Sequence, residues 1–161
     1  MIKETTFKDC VNVILKHEGG YVDDPADAGG ETNFGISKRS YPDVEIRELS
    51  KEDAIHIYKS DFWDKYKIEL LPEHLRLTYF DMCVNHGSRR ATKILQQAHN
   101  SKSPNKLDID GMCGELTRKA VCTLENSRLK SFRILFFADI ISRKTECEKF
   151  WYGWYKRGVS T

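Results

Sequence analysis

The sequence predicts a mainly α protein with a short β-hairpin or extended loop, and three observations support this fold class. Apolar residues recur at helical spacing in most of the chain, beginning with Phe7, Val11 and Ile14. Helix-capping and helix-ending residues flank these patterns. A single short segment, residues 32–36, is predicted as extended, and its glycine weakens any longer strand.

The first helix is predicted over residues 4–17, where Gly19 is suited to end it in a left-handed cap. Residues 19–48 are rich in turn sequences, because proline presets φ while glycine supplies positive φ. This segment is therefore predicted as a structured loop beside a cleft, in which residues 32–36 form either one edge of a short hairpin or an extended loop.

Three helices are predicted in the middle of the chain. Ser50 begins the first of them with a capping-box pattern, because the acidic Asp53 follows three residues later. Pro72 is suited to the start of the next helix. The predicted ranges are about 51–65, 72–87 and 88–100.

Residues 100–114 form the clearest internal boundary, because residues 100–106 are all polar or proline and predict an exposed loop. Further helices are predicted from about residue 115, over 128–145 and over 146–156. The last of these carries an aromatic cluster, Trp151 and Trp154 among it, that is predicted to seal the C-terminal helices.

Composition excludes several functional classes. Lys and Arg number 26 against 24 Asp and Glu, so the net charge of +2 is far from that of a nucleic-acid binder. No apolar run predicts a membrane span, and residues 1–6 lack the apolar core of a secretory signal. The protein is therefore expected in the cytoplasm of the producing cell.

Neither a metal site nor a disulfide framework is predicted. The five cysteines are odd in number and never form a C-x-x-C pair. Acidic clusters at residues 23–27 and 108–111 lack the ligand series of an EF-hand calcium loop.

Glu18 is the first candidate for chemistry. Helical spacing places it on the apolar face of Phe7, Val11 and Ile14, at the point where the helix enters a glycine-rich loop. A half-buried carboxyl can hold a proton near neutral pH and give it to a leaving group. The alternative is a solvated glutamate at a frayed helix end.

Asp27 and Thr32 follow Glu18 in a loop whose glycines allow it to fold back, so all three are expected to face one cleft. Glycoside hydrolysis uses a proton donor together with a carboxylate or a positioned water. The alternatives are an Asx turn for Asp27 and a local backbone cap for Thr32.

Four further residues are candidates for substrate binding. Asp81 and Asn85 project from one helix face at i, i+4 spacing, where they are expected either to line the cleft or to hold the Glu18 loop by hydrogen bonds. Tyr21 and Phe34 offer aromatic faces on which sugars stack, although most aromatic residues at such spacing pack in a core. His86, at a helix end, is predicted to be structural.

Residues 18–36 closely resemble the signature of glycoside hydrolase family 108, the N-acetylmuramidases of phage endolysins and bacterial secretion-activator proteins. The resemblance extends over nearly the whole chain, in the order Ala54-x-x-Ile57-Tyr58, Leu71-Pro72, Phe80-Asp81-x-x-Val84-Asn85-His86-Gly87, Asp110-Gly111-x-x-Gly114 and Gly153-Trp154.

The resemblance implies a lysozyme-like helical fold in which Glu18 is the catalytic acid that cleaves the β-1,4 bond between N-acetylmuramic acid and N-acetylglucosamine. It implies a catalytic region over residues 1–91 and a helical region over 92–161 that resembles a predicted peptidoglycan-binding domain and packs with the first as one unit. The spacing of Glu18, Asp27 and Thr32 is similar to that in phage-type lysozymes, with the last interval one residue shorter.

As a phage endolysin, the protein is expected to act without a cofactor, as a monomer, on peptidoglycan glycan strands. A holin would give it access to the wall. Two alternatives stay open at this point: a lytic transglycosylase, which leaves a 1,6-anhydro product, and a non-catalytic wall-binding or secretion-helper protein.

Overall fold

A computed structural model describes residues 5–23 and 30–161. The chain divides into two compact units. The N-terminal unit comprises Thr6–Lys65, and the described residues of the C-terminal unit are Thr5 and Tyr66–Thr161.

The described residues form seven α-helices and one two-stranded antiparallel sheet. The elements are α1 (Phe7–Glu18), β1 (Thr32–Asn33), β2 (Ile36–Ser37), α2 (Lys51–Tyr58), α3 (Glu73–His86), α4 (Ser88–Asn100), α5 (Glu115–Ala120), α6 (Asn126–Arg143) and α7 (Trp151–Ser160). The predicted mainly α class with a short hairpin, and the lysozyme-like helical fold, are confirmed. No helix in the described ranges is both long and apolar enough to cross a bilayer.

Helix α1 begins with a capping box, which the sequence analysis did not identify. The Thr6 hydroxyl accepts from the Asp9 amide at 3.3 Å, and the Asp9 carboxylate accepts from the Thr6 amide at 3.2 Å. The apolar face is buried as its spacing predicts, and it comprises Cys10, Val11, Ile14 and Leu15.

The segment predicted as one helix over residues 51–65 changes from an α-helix to a π-helical turn halfway along. Helix α2 ends at Tyr58, and a π-helical turn, Lys59–Asp64, continues it. This turn carries the buried Trp63, whose ring meets that of Phe7 edge-on with 5.4 Å between centroids. The wider turn therefore joins the end of this segment to α1 within the N-terminal unit.

In the C-terminal unit, α3 and α6 both pack against α4, and α7 packs on α6. The core includes Leu75, Tyr79, Phe80, Ile94, Leu95 and Leu129. The last predicted helix is divided, because a 3₁₀ segment over Thr145–Phe150 precedes α7. Of the aromatic cluster predicted to seal these helices, Trp154 meets Phe137 at 5.3 Å and Phe150 at 5.9 Å between ring centroids, whereas Tyr152 and Tyr155 are exposed.

An ion-pair cluster centred on Asp81 lies in this core. Its carboxylate accepts from Arg133 Nη2 at 2.5 Å and from Arg157 Nη2 at 2.8 Å, and its side chain is 0% exposed. The Thr161 hydroxyl adds a contact at 3.3 Å. Helical spacing predicts a substrate-binding role for Asp81, but its carboxylate is engaged inside the unit, where two arginines neutralise it.

The cluster also determines the ionisation of Asp81. Burial by itself raises the pKa of the carboxyl, but the hydrogen bonds and charges of Arg157 and Arg133 outweigh this effect and lower the pKa. The ionised form is therefore favoured by folding, so its contribution to stability is present above the unfolded-state pKa and is lost as the pH falls through the folded-state value.

We expect Asp81→Asn to lower the free energy of unfolding by about 3 kcal/mol at pH 7, because the two arginines lose their buried counter-charge. Urea unfolding measures this loss. The difference from wild type should shrink below about pH 4, where the unfolded-state carboxyl is protonated.

The matched control is Asp139→Asn, which removes a partly exposed carboxylate that also pairs with an arginine, Arg143, at 2.9 Å. It should change stability little. Equal losses in the two variants would contradict the importance assigned to the buried cluster.

Candidate active site

Glu18 is the last residue of α1, and its side chain is half-buried. A Cβ atom built on Gly35 would lie 2.6 Å from Glu18 Oε2 and 2.8 Å from Glu18 Cγ. The carboxylate therefore packs directly against the backbone of Gly35. This placement agrees with the predicted inward orientation and differs from a solvated glutamate at a frayed helix end.

Gly35 lies in the tight turn that joins β1 to β2. The pairing is Thr32 with Ser37 and Asn33 with Ile36, which leaves Phe34 and Gly35 as the two turn residues. Both have positive φ, 50° at Phe34 and 78° at Gly35, as a type I′ turn requires. The segment predicted as extended over 32–36 thus reverses direction at its centre.

Tyr58 holds this turn in place from α2. Its hydroxyl donates to the Phe34 carbonyl oxygen at 2.9 Å, and the ring is fully buried. The same hydroxyl would lie 2.7 Å from a Cβ atom at Gly35. Glu18, Gly35 and Tyr58 therefore converge on one point, where a carboxylate and a phenol approach a bare backbone.

A second anchor is Asn33, which is buried at the end of β1. Its Nδ2 donates to the carbonyl oxygens of Ile46 at 3.1 Å and Leu49 at 3.3 Å. These bonds tie the hairpin to the short 3₁₀ turn Ile46–Glu48. Neither Asn33 nor Tyr58 is among the site residues predicted from the sequence. The sequence signal for Tyr58 is a phenol on an apolar helix face, because a buried hydroxyl group needs a hydrogen-bond partner.

Thr32 begins the hairpin, and its backbone also pairs with Val22 through two hydrogen bonds of 2.8 Å. Its hydroxyl donates to the Gly30 carbonyl oxygen at 3.5 Å, the long limit for such a bond. Thr32 therefore makes a local backbone contact, the alternative considered for it. Asp27 lies outside the described residues, so its predicted role stays a prediction.

The two predicted aromatic binding residues both lie in the N-terminal unit. Tyr21 is 37% exposed, and the Arg47 guanidinium lies 5.5 Å from its ring centroid. Phe34 borders a surface groove of about 360 Å³, whose other lining residues are Asn12, Leu15, Lys16 and Lys51. Both rings are thus at or near the surface of the unit that carries Glu18.

The remaining predicted residues belong to the C-terminal unit. Asn85 is exposed, and its side chain donates to the Asp81 carbonyl oxygen at 2.9 Å. His86 lies between Phe136 and Phe137, and burial is the main cause that lowers its pKa to about 4. It is therefore neutral near pH 7 and structural, as predicted. Within the described ranges, no group of three or more His, Cys, Asp or Glu residues is placed to hold a metal ion.

Two family models match the chain. One, described as "Glycosyl hydrolase 108", matches residues 11–87, and the other, described as "Predicted Peptidoglycan domain", matches residues 90–159. Among solved structures, the chain is similar to SagA of Brucella abortus, with a TM-score of 0.76 and 27% identity over 96% of this chain and 90% of that one. No curated protein matches with significance.

The family matches and the compact units divide the chain at different places. The boundary between the two family matches lies at residues 87–90, near the predicted boundary at residue 91. The boundary between the compact units lies at residues 65–66. The reason is that α3 packs against α4 and α6 and so belongs physically with the later helices.

The contact at the hairpin turn is testable by adding one methyl group. We expect Gly35→Ala to destabilise the protein, because the new Cβ atom would meet the Glu18 carboxylate and the Tyr58 hydroxyl at a positive φ. Thermal unfolding should show a clear fall in Tm.

Gly30→Ala is the matched control. Gly30 also has a positive φ, 69°. A Cβ atom added there would have Lys38 Cβ as its nearest neighbour, at 3.8 Å. This variant carries the backbone strain without the steric contact, so its Tm should fall less. Equal Tm values for the two variants would contradict the close packing of Glu18 on Gly35.

Proposed function

Because the chain belongs to the glycosyl hydrolase 108 family, we propose that it is a peptidoglycan hydrolase of the N-acetylmuramidase type. The bond that it cleaves in this proposal is the β-1,4 linkage between N-acetylmuramic acid and N-acetylglucosamine. Membership makes the protein a glycoside hydrolase that acts on peptidoglycan, and the choice of this particular bond is what we propose.

The placement of Glu18 carries the proposal. The carboxylate lies at the end of α1, half-buried against the hairpin turn, inside the segment that matches the hydrolase family. Partial burial excludes water from one side of the group, and the fixed turn restricts where its oxygens can lie. A general acid requires such a position, because the proton must be delivered to one particular oxygen.

In the proposed reaction, Glu18 protonates the bridging glycosidic oxygen as the bond to the muramic acid anomeric carbon breaks. A water molecule then adds to that carbon, and the proton it releases balances the one that Glu18 gave up. Asp27 either stabilises the oxocarbenium-like centre or, together with Thr32, positions the attacking water.

Two aromatic rings of the N-terminal unit, one exposed and one half-buried, support a polysaccharide substrate. Tyr21 has an accessible face beside Arg47, and Phe34 borders a groove next to the hairpin. Aromatic faces stack on the apolar faces of sugars, so we propose that these two residues contact the glycan strand. Asn85 is retained as a further binding candidate.

The biological setting of a phage endolysin is part of the same proposal. The protein would wait in the cytoplasm and reach the wall after a holin opens the membrane. Lysis of producing cells, measured before and after their membrane is permeabilised, tests this setting. Lysis only after permeabilisation would support it.

We expect Glu18→Gln to lower the release of reducing ends from purified sacculi by at least about 10²-fold, because general acid catalysis contributes about 10²–10⁴-fold. The change removes the transferable proton while the side chain keeps its size. The control is Glu52→Gln, which alters an exposed glutamate on α2 and should retain full activity.

The products distinguish the alternatives. Mass spectrometry of released muropeptides should show products with one added water, whereas a transglycosylase would leave 1,6-anhydro ends. Full activity in a folded Glu18→Gln variant would overturn the proposed acid. Sedimentation with sacculi without any product would instead indicate a non-catalytic wall-binding protein.

A further inference from the structure

A large surface groove lies in the C-terminal unit between α4 and α6. Its volume is about 1080 Å³, and the loop after α4 closes one side through Lys106 and Ile109. Pockets of about 300–1,000 Å³ are typical of sites that hold small-molecule ligands. The groove is therefore large enough for a short oligomeric ligand.

The floor of the groove is apolar. Ile94 of α4 faces Phe132, Phe136 and Ile140 of α6 along it. Leu135 also lines the groove and is 62% exposed, although it lies in the middle of a helix. A partly exposed apolar strip of this kind is typical of a ligand-binding or interaction surface.

Cations dominate the charged residues of the lining. Four are basic, Arg90, Lys106, Arg143 and Lys144, against the single carboxylate of Asp139. Asp139 pairs with Arg143 at 2.9 Å. Among the residues that the structure describes, the other three cations pair with no carboxylate, which leaves an excess of positive charge along the groove.

Arg90 is held in position over the groove. Its guanidinium carbon lies 5.2 Å from the ring centroid of Phe136, in a cation–π arrangement. A guanidinium fixed in this way can bind a carboxylate with both of its terminal nitrogens. Gln97, exposed on the same side, adds an amide that can bond to a peptide backbone.

We propose that this groove binds the peptide stem of peptidoglycan, with the stem carboxylates on Arg90 and Lys144 and the alanine methyl groups on the apolar floor. The inference rests on the proposed function and names the part of the substrate that this unit takes. The charge decides between the two parts of peptidoglycan, because the N-acetylated glycan backbone is neutral whereas the stem peptide carries several carboxylates.

Calorimetric titration of the full chain with N-acetylmuramyl tetrapeptide tests the proposal, since this probe contains the stem but no glycosidic bond to cleave. We expect saturable binding that weakens as salt is raised. The double variant Arg90→Gln/Lys144→Gln should raise the Kd about tenfold through loss of two charge-assisted contacts. N-acetylchitotetraose, a neutral glycan, should bind equally well to wild type and variant.

The control is Lys119→Gln/Lys156→Gln, which removes two exposed cations of the same unit that do not line the groove. Its Kd for the tetrapeptide should equal that of wild type. Equal Kd values for the groove variant and wild type would overturn the proposal, as would the absence of tetrapeptide binding.

The same variants also test two other occupants of the groove, a membrane surface and a second copy of the chain. Loss of phosphatidylglycerol-vesicle binding in the groove variant, without tetrapeptide binding to wild type, would indicate a membrane surface. Dimers of wild type that dissociate in the groove variant during sedimentation velocity would indicate a second copy of the chain. Either result would overturn the peptide assignment. Reducing-end release from sacculi by wild type, measured in parallel, reports separately on the proposed hydrolase function.

Discussion

The N-terminal unit depends on the direct contact between the Glu18 carboxylate and the backbone of Gly35. A side chain at Gly35 would displace either the carboxylate or the Tyr58 hydroxyl, so the contact exists because this residue has no Cβ atom. The turn that presents Gly35 is held by Tyr58 from α2 and by Asn33 at the end of β1. The position of the proposed acid is thus determined by a hairpin of four paired residues and its two anchors.

The C-terminal unit is organised around a different constraint, the neutralisation of a buried charge. Asp81 would be costly in the core without Arg133 and Arg157, and the arginines would be equally costly without it. The cluster therefore requires α3, α6 and α7 to be present together. The same helix α6 supplies the apolar floor of the groove on another part of its surface, so the groove depends on a helix that the buried charges hold in place.

The two proposals assign different parts of one substrate to the two units. The N-terminal unit combines an acid with one exposed and one half-buried aromatic ring, Tyr21 and Phe34, which suits an uncharged sugar polymer. The groove of the C-terminal unit combines an excess of cations over carboxylates with an apolar floor, which suits a short acidic peptide. Peptidoglycan contains both components, linked covalently, so an enzyme that recognises each of them separately would distinguish it from other polysaccharides that share the same sugar backbone.

The local sequence pattern by itself determined the helices, the turn-rich segment around the hairpin, and the inward orientation of Glu18. Helical spacing and capping depend on near neighbours in the chain, which is why sequence alone predicts them. The tertiary structure decided which polar residues are buried and with whom. Asp81 and Asn85 have the same spacing signal, yet one is enclosed by Arg133, 52 positions away, and the other is exposed. Partners so distant are joined only by packing, and no local pattern encodes that pairing.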